Sequence, residues 1–173
     1  MPVSNSISDP RRWRAAGLTL MLMTVPAALA NEPPSWGFVL PTLEGERFVR
    51  SADLPGPVLV NFWSKDCPPC VRELPRLETF ARDNPQWTVI LIATDTPQQA
   101  KVFLTRQGIA LTTLRGGADV TGSMRGAGNR SGGLPFSVVL DDGKICETRL
   151  GELDETVLRD WQRQPCYPQE PHI

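Results

Sequence analysis

Apolar positions divide the 173-residue chain into a regular series of elements. Phe38 to Arg50 (FVLPTLEGERFVR) holds two short apolar runs on either side of Glu44-Gly45-Glu46, the pattern of a β-hairpin. Pro57 to Trp63 (PVLVNFW) is almost wholly apolar and β-branched, which predicts a central strand buried on both faces. From Cys67 the period changes. Val71, Leu74, Leu77 and Phe80 recur at spacings of roughly three to four, predicting a helix that Asn84-Pro85 ends. Thr88 to Thr94 (TVILIAT) predicts a second buried strand. Pro97 to Arg106 predicts a helix with Thr96 as its N-cap, Pro97 in its first position and Gly108 past its end.

The second half is less even. Ile109 to Leu114 reads as a short strand, and the Gly-rich stretch 116–133 has room for a short helix between Asp119 and Gly126. Pro135 to Leu140 and Lys144 to Leu150 flank Asp141-Asp142-Gly143, a hairpin turn. Asp154 to Arg163 predicts a terminal helix with Val157, Leu158 and Trp161 on one face; a Pro-rich tail, 165–173, follows. No internal repeat is visible. Strands alternating with helices, closed by a hairpin and a helix, predict an α/β domain over residues 36–164, with a mixed central β-sheet flanked by helices and an N-terminal β-hairpin extension. A single core suits this length.

The first thirty residues have a different character. Arg11, Arg12 and Arg14 precede an apolar run from Ala15 that closes with Ala28-Leu29-Ala30. A basic segment, an apolar segment and an A-x-A site read as a signal peptide over 1–30, with 31–35 as a short linker. The run is shorter than the roughly 20 residues of a spanning helix, and Pro26 interrupts it, so a retained membrane anchor is the lesser reading. Arg11-Arg12 supports twin-arginine export only weakly. The expected location is therefore secreted, and periplasmic in a Gram-negative cell.

Composition narrows the chemistry. A formal net charge of −1 argues against nucleic acid as a partner. The single histidine, His172, is two residues from the C-terminus, which leaves no imidazole inside the fold for zinc hydrolysis or for Cys-His or Ser-His nucleophilic catalysis. Four cysteines, Cys67, Cys70, Cys146 and Cys166, remain to be explained.

Cys67-Pro68-Pro69-Cys70 follows a predicted buried strand and opens a helix. A thiol at a helix N-terminus faces unpaired N–H groups and the positive end of the dipole, so its thiolate is stabilised. Prolines are tolerated there because first-turn N–H groups have no intrahelical partner. Two intervening residues bring both sulfurs onto one turn, where one attacks a disulfide and the other resolves the mixed disulfide. Two other readings compete: a zinc knuckle, which wants a second ligand pair close by, and a purely structural disulfide, disfavoured by its small ring.

The stretch LVNFWSKDCPPCVRELPRLETF, Leu59 to Phe80, resembles the thioredoxin superfamily, in particular its exported TlpA-like branch of ResA and CcmG type. The resemblance extends over about residues 36–164 and takes in GGLPFSVVLDDGKI, Gly132 to Ile145. It implies the thioredoxin fold and a redox-active disulfide in place of any cofactor or metal. It implies Cys67 as nucleophile, Cys70 as resolving thiol and a cis-proline at Pro135, whose neighbour Leu134 would offer its backbone to a client strand. It also places Asn61 where thioredoxin has an aspartate, and a glutamate at Glu73, one helical turn beyond Cys70. A desolvated carboxyl there would relay the thiol's proton; a solvent-facing Glu73 paired with Arg76 or Lys65 is the alternative. Asp66 stands where the family usually has an aromatic. Its charge disfavours the neighbouring thiolate, Lys65 favours it, and Pro68 and Pro69 lack donors, so a reducing pair is expected. Trp63 reads as packing beside the disulfide or as plain core; with Asp66, Pro68 and Pro69 it completes the expected client-facing set.

Cys146, early in the last strand, and Cys166, beyond the last helix, come together if strand and helix pack antiparallel. A structural disulfide is the favoured reading, against a second redox pair or two free thiols. The expected partners are client proteins with disulfides, such as apocytochrome c or a copper-site protein, and a membrane thiol electron donor; contact with the membrane itself is expected only for an uncleaved leader. A disulfide-introducing oxidase or isomerase, or a metal carrier using both thiolates, are the rival functions. A peroxidase would want a Pro-x3-Thr-x2-Cys setting, which is absent.

Overall fold

Six consecutive residues, Val58 to Trp63, are fully buried and run through the middle of the protein. In the computed structural model the described residues are Met1, 34–163 and Cys166; the expected signal segment beyond Met1 and most of the Pro-rich tail lie outside them. In chain order the elements are β1 (Val39–Pro41), β2 (Phe48–Arg50), β3 (Val58–Trp63), α1 (Pro68–Asp83), β4 (Thr88–Ala93), α2 (Pro97–Gln107), β5 (Thr112–Arg115), α3 (Val120–Gly126), β6 (Phe136–Asp141), β7 (Lys144–Leu150) and α4 (Glu155–Arg163).

Five strands form one mixed sheet in the order β5-β4-β3-β6-β7. β4 runs parallel to β3 and β5 parallel to β4, whereas β6 and β7 are each antiparallel to their neighbour. Alternation along the strands sorts side chains onto two faces. Leu59, Trp63, Leu91 and Val139 meet α1, α2 and α4 on one face. Val60, Phe62, Ile92 and Val138 meet α3 and the N-terminal segment on the other. Burying each such side chain contributes about 1.5–3 kcal/mol, which makes β3 the anchor of both layers. This is a thioredoxin-like fold with an added N-terminal hairpin.

The short strand starts at Thr112, three residues later than the hydrophobic pattern suggests. Gly108 adopts a left-handed conformation (φ 68°) and the Ile109 N–H bonds back to Leu104 O, so Ile109 serves to close the end of α2 instead of starting the strand. The N-terminal segment crosses one sheet face. Pro34 O accepts from Ile145 N–H at one sheet edge, and the Leu43 N–H donates to Thr113 O at the other. Pro34 and Ser35 thus pair with β7 where the sequence suggested a linker. Trp36 packs on Phe38 and Phe62 along the way.

Cys146 and Cys166 are joined by a disulfide, with Cα atoms 4.5 Å apart. Val139 pairs with Glu147 and Leu140 with Ile145, so Cys146 is the extra residue of a bulge. Such a bulge re-aims a side chain, and Cys146 packs on the same cluster as Leu158 and Trp161 of α4. Closing a loop across a separation of 20 residues stabilises a chain by about 3 kcal/mol through the unfolded state. Replacing both cysteines by alanine is therefore expected to lower unfolding stability by about that amount while leaving the Cys67–Cys70 couple unchanged. Denaturant titration and a redox titration of the variant check both halves.

Candidate active site

The site begins where β3 ends. Thr94 and Asp95 follow the neighbouring strand β4, and the Asp95 carboxylate accepts from the Lys65 N–H (2.7 Å) and the Ser64 hydroxyl (3.0 Å). This pins the turn that delivers Cys67 to the start of α1. Cys67 is the N-cap, and its Sγ accepts from Cys70 N–H at 3.3 Å. The two cysteines are disulfide-bonded, with Cα atoms 5.3 Å apart. Cys67 is half-buried and Cys70 fully buried, so one sulfur is open to attack and the other is shielded. Pro68 is exposed beside them and Pro69 half-buried; Asp66 is exposed and ion-paired with Lys65.

One turn beyond Cys70, the Glu73 side chain enters the apolar core and is fully buried. Its Oε1 accepts from Asn61 Nδ2 and its Oε2 from Leu153 N–H, each at 2.7 Å. Asn61 lies on β3 between Leu59 and Trp63 and faces the same helix; its Nδ2 also donates to Ser137 Oγ on β6, at 2.9 Å. Burial pushes the Glu73 carboxyl up to about 7, against the opposing pull of the Leu153 and Asn61 donors. Glu73 is therefore not the solvent-facing partner of Arg76 or Lys65: Arg76 binds Glu152 at 2.6 Å and Lys65 binds Asp66.

The loop after β7 closes the site. Gly151 N–H donates to Pro135 O at 2.8 Å, and two residues on Leu153 N–H reaches Glu73. Arg72 and Arg76 of α1 hold Glu152 between them. The Leu134–Pro135 peptide is cis. Phe136 pairs with Phe62, so Pro135 sits at the end of the sheet from which Cys67 emerges. Among the described residues, the Leu134 backbone N–H and C=O make no hydrogen bond to other backbone groups. Trp63 is fully buried, packs in the cluster that holds Cys70, and lies with its ring tilted against that of Phe103, centroids 5.7 Å apart.

The sequence brought Cys67, Cys70, Glu73 and Pro135 into view but not Asp95, Ser137 or Leu153. Asp95 carried a usable signal, because an acid just past the C-terminal end of a buried parallel strand borders the crevice of an open sheet. Ser137 hides in an apolar run, and Leu153 contributes only its backbone.

A helix N-terminal Cys-x-x-Cys disulfide beside a cis-proline, on this sheet order, defines a thioredoxin-fold protein of thiol–disulfide exchange. The chain belongs to the AhpC/TSA family, whose model matches residues 34–160. The thiol-disulfide oxidoreductase ResA of Bacillus thuringiensis (strain Al Hakam) is 28% identical over 142 residues, covering 79% of this chain and 78% of that protein. The thiol:disulfide interchange protein HelX of Rhodobacter capsulatus is 37% identical over 101 residues, 58% of this chain and 55% of its own. A solved thiol:disulfide interchange protein of the thioredoxin family from Chlorobium tepidum superposes with a TM-score of 0.62 at 25% identity, covering 76% of this chain and 92% of that one. The protein is an oxidoreductase of this type, with Cys67 and Cys70 as its pair.

Because its folded pKa is raised, Glu73 keeps a proton between about pH 4.5 and 7 that the unfolded chain has released. Stability is then greatest below that range and falls as pH rises through 7, by at most about 3 kcal/mol. Glu73→Gln is expected to remove this decline. Denaturant midpoints of both proteins from pH 4 to 8 check it, and parallel curves would count against the buried, titrating carboxyl.

Proposed function

We propose that the protein is an exported reductase that delivers two electrons to disulfides of specific client proteins. The observation that carries this reading is the poverty of donors at Cys67. Its Sγ accepts from the Cys70 N–H, whereas the first two helical positions are Pro68 and Pro69, which have no N–H. Lys65 and Asp66 oppose each other's charge beside it. A thiolate stabilised by so few groups leaves the disulfide as the favoured form, which makes the dithiol a good electron source.

In the reduced protein, the Cys67 thiolate attacks one client sulfur and the other leaves as a thiolate that takes a proton. Cys70 then loses its proton to the Glu73 carboxylate and attacks the Cys67 sulfur. The mixed disulfide breaks, the second client thiol departs, and the Cys67–Cys70 disulfide remains. Two electrons have passed from the protein to the client, and an external thiol donor restores them. A carboxyl near pH 7 suits this exchange of a proton. Leu134 and Pro135 would receive the client strand by backbone pairing, with Asp66, Pro68 and Pro69 around the sulfur. Trp63 supports the disulfide from the core side.

Export is supported by the basic and apolar pattern of residues 1–30. The likeness to ResA- and CcmG-type proteins favours clients such as apocytochrome c or a copper-site protein, with a membrane thiol donor. No helix among the described residues is long and apolar enough to cross a membrane.

The equilibrium reduction potential tests the direction of flow. Alkylation mass shifts in dithiothreitol or glutathione buffers are expected to give a value below about −220 mV for Cys67–Cys70. A value near about −120 mV would make the protein an oxidant and overturn the reading. Cys70→Ser is expected to accumulate a mixed disulfide through Cys67 with a model disulfide substrate, visible by mass.

A further inference from the structure

Asn61 is held by only one end of its amide. Its Nδ2 spends both hydrogens, one on Glu73 Oε1 and one on Ser137 Oγ. Its Oδ1 is buried with no partner among the described residues. Asn61 and Ser137 face each other directly across β3 and β6, and Asn61, Ser137 and Glu73 are all fully buried. A buried acceptor without a partner is a standing penalty, and such groups call for an explanation.

The chemistry of the neighbours supplies one. An N–H pointing at Glu73 suits a carboxylate. A carboxylic acid at the same place needs an acceptor for its own O–H. A half-turn of the Asn61 amide exchanges Nδ2 for Oδ1 at the point that faces both Glu73 and Ser137. Oδ1 then accepts from the protonated carboxyl and from the Ser137 hydroxyl, which can donate as readily as it accepts. Only the Ser137 hydroxyl hydrogen has to reorient, and Nδ2 takes the unpartnered place that Oδ1 leaves.

We propose that Asn61 is a positioning residue whose amide turns with the proton on Glu73, giving donor to the anion and acceptor to the acid, with Ser137 following. The inference deepens the relay role assigned to Glu73 and rests on that reading for its purpose. It matters because a relay in an apolar core must be tolerable in both of its states. The charged groups near Glu73 are Arg76, on α1, and Glu152, on the loop, whose carboxyl is held low by Arg76 and Arg72. β3 and β6 present only Asn61 and Ser137.

NMR of the oxidised protein tests this without using activity. Through the Glu73 carboxyl titration, read from side-chain carbon shifts, the Asn61 amide protons are expected to shift with the same midpoint. Their cross-relaxation contacts to Ser137 and Glu73, strong above that midpoint, are expected to fade below it. In Glu73→Gln the Asn61 signals are expected to be flat from pH 5 to 9. Asn61→Leu, similar in size, is expected to raise the Glu73 midpoint by about half to one pH unit, since the donor lost to the anion is charge-assisted and outweighs the neutral acceptor lost to the acid. Asn61 contacts that persist unchanged while Glu73 titrates would overturn the proposal. So would a pH dependence that survives in Glu73→Gln, or an unmoved midpoint in Asn61→Leu. The wild-type measurement decides even if that variant does not fold. Wild-type exchange rates in Glu73→Gln would remove the relay role of Glu73 and leave the amide's turn to be judged on its own signals.

Discussion

One carboxyl group sealed inside an apolar layer is the constraint around which the site is organised. Glu73 could be buried only if the surrounding structure met its oxygens, and three separate parts of the chain do so or hold those that do. β3 sends Asn61, β6 braces that amide with Ser137, and the loop after β7 turns in Leu153 N–H. The same placement puts the acid one turn from the shielded sulfur of Cys70. Local charge does little of the positioning. The Arg72 and Arg76 pairs with Glu152 lie near the surface, where ion pairs contribute about 0–1 kcal/mol, and they serve mainly to orient the loop.

The backbone geometry around the two sulfurs follows from equally local causes. Cys67 caps α1 because the turn before it is tied to Asp95, and the prolines after it fit a first helical turn. Those same prolines strip donors from the thiol. A feature that helps the helix start therefore also adjusts the chemistry at its tip.

Much of this was readable from the chain alone, for physical reasons that differ by element. β3 and β4 announced themselves because strands buried on both faces are continuous apolar runs. α2 carried both its cap and its stop as Thr96 and Gly108. The short strand β5 was displaced because the apolar side chains before it pack beside a helix, a tertiary effect with no local signature. At the site, the cysteines were legible by spacing and Pro135 only through the family resemblance. Glu73 was legible as a position but not as an environment, since its burial depends on residues 12 and 80 positions away. Ser137 was hidden in a run of apolar neighbours, whereas Asn61 came into view only through the family resemblance, and only strand register brings the two together.

The two disulfides lie at opposite ends of the central sheet. Cys146 sits level with the start of β3, whereas Cys67 follows its end, a separation of about 15 Å along the strands. Thiol exchange needs sulfurs in contact, so the sheet works as a spacer between two circuits that never meet within one molecule. Whatever reduces the first pair gains no access to the second by way of it. A cell that keeps this protein working must therefore reach the two ends separately.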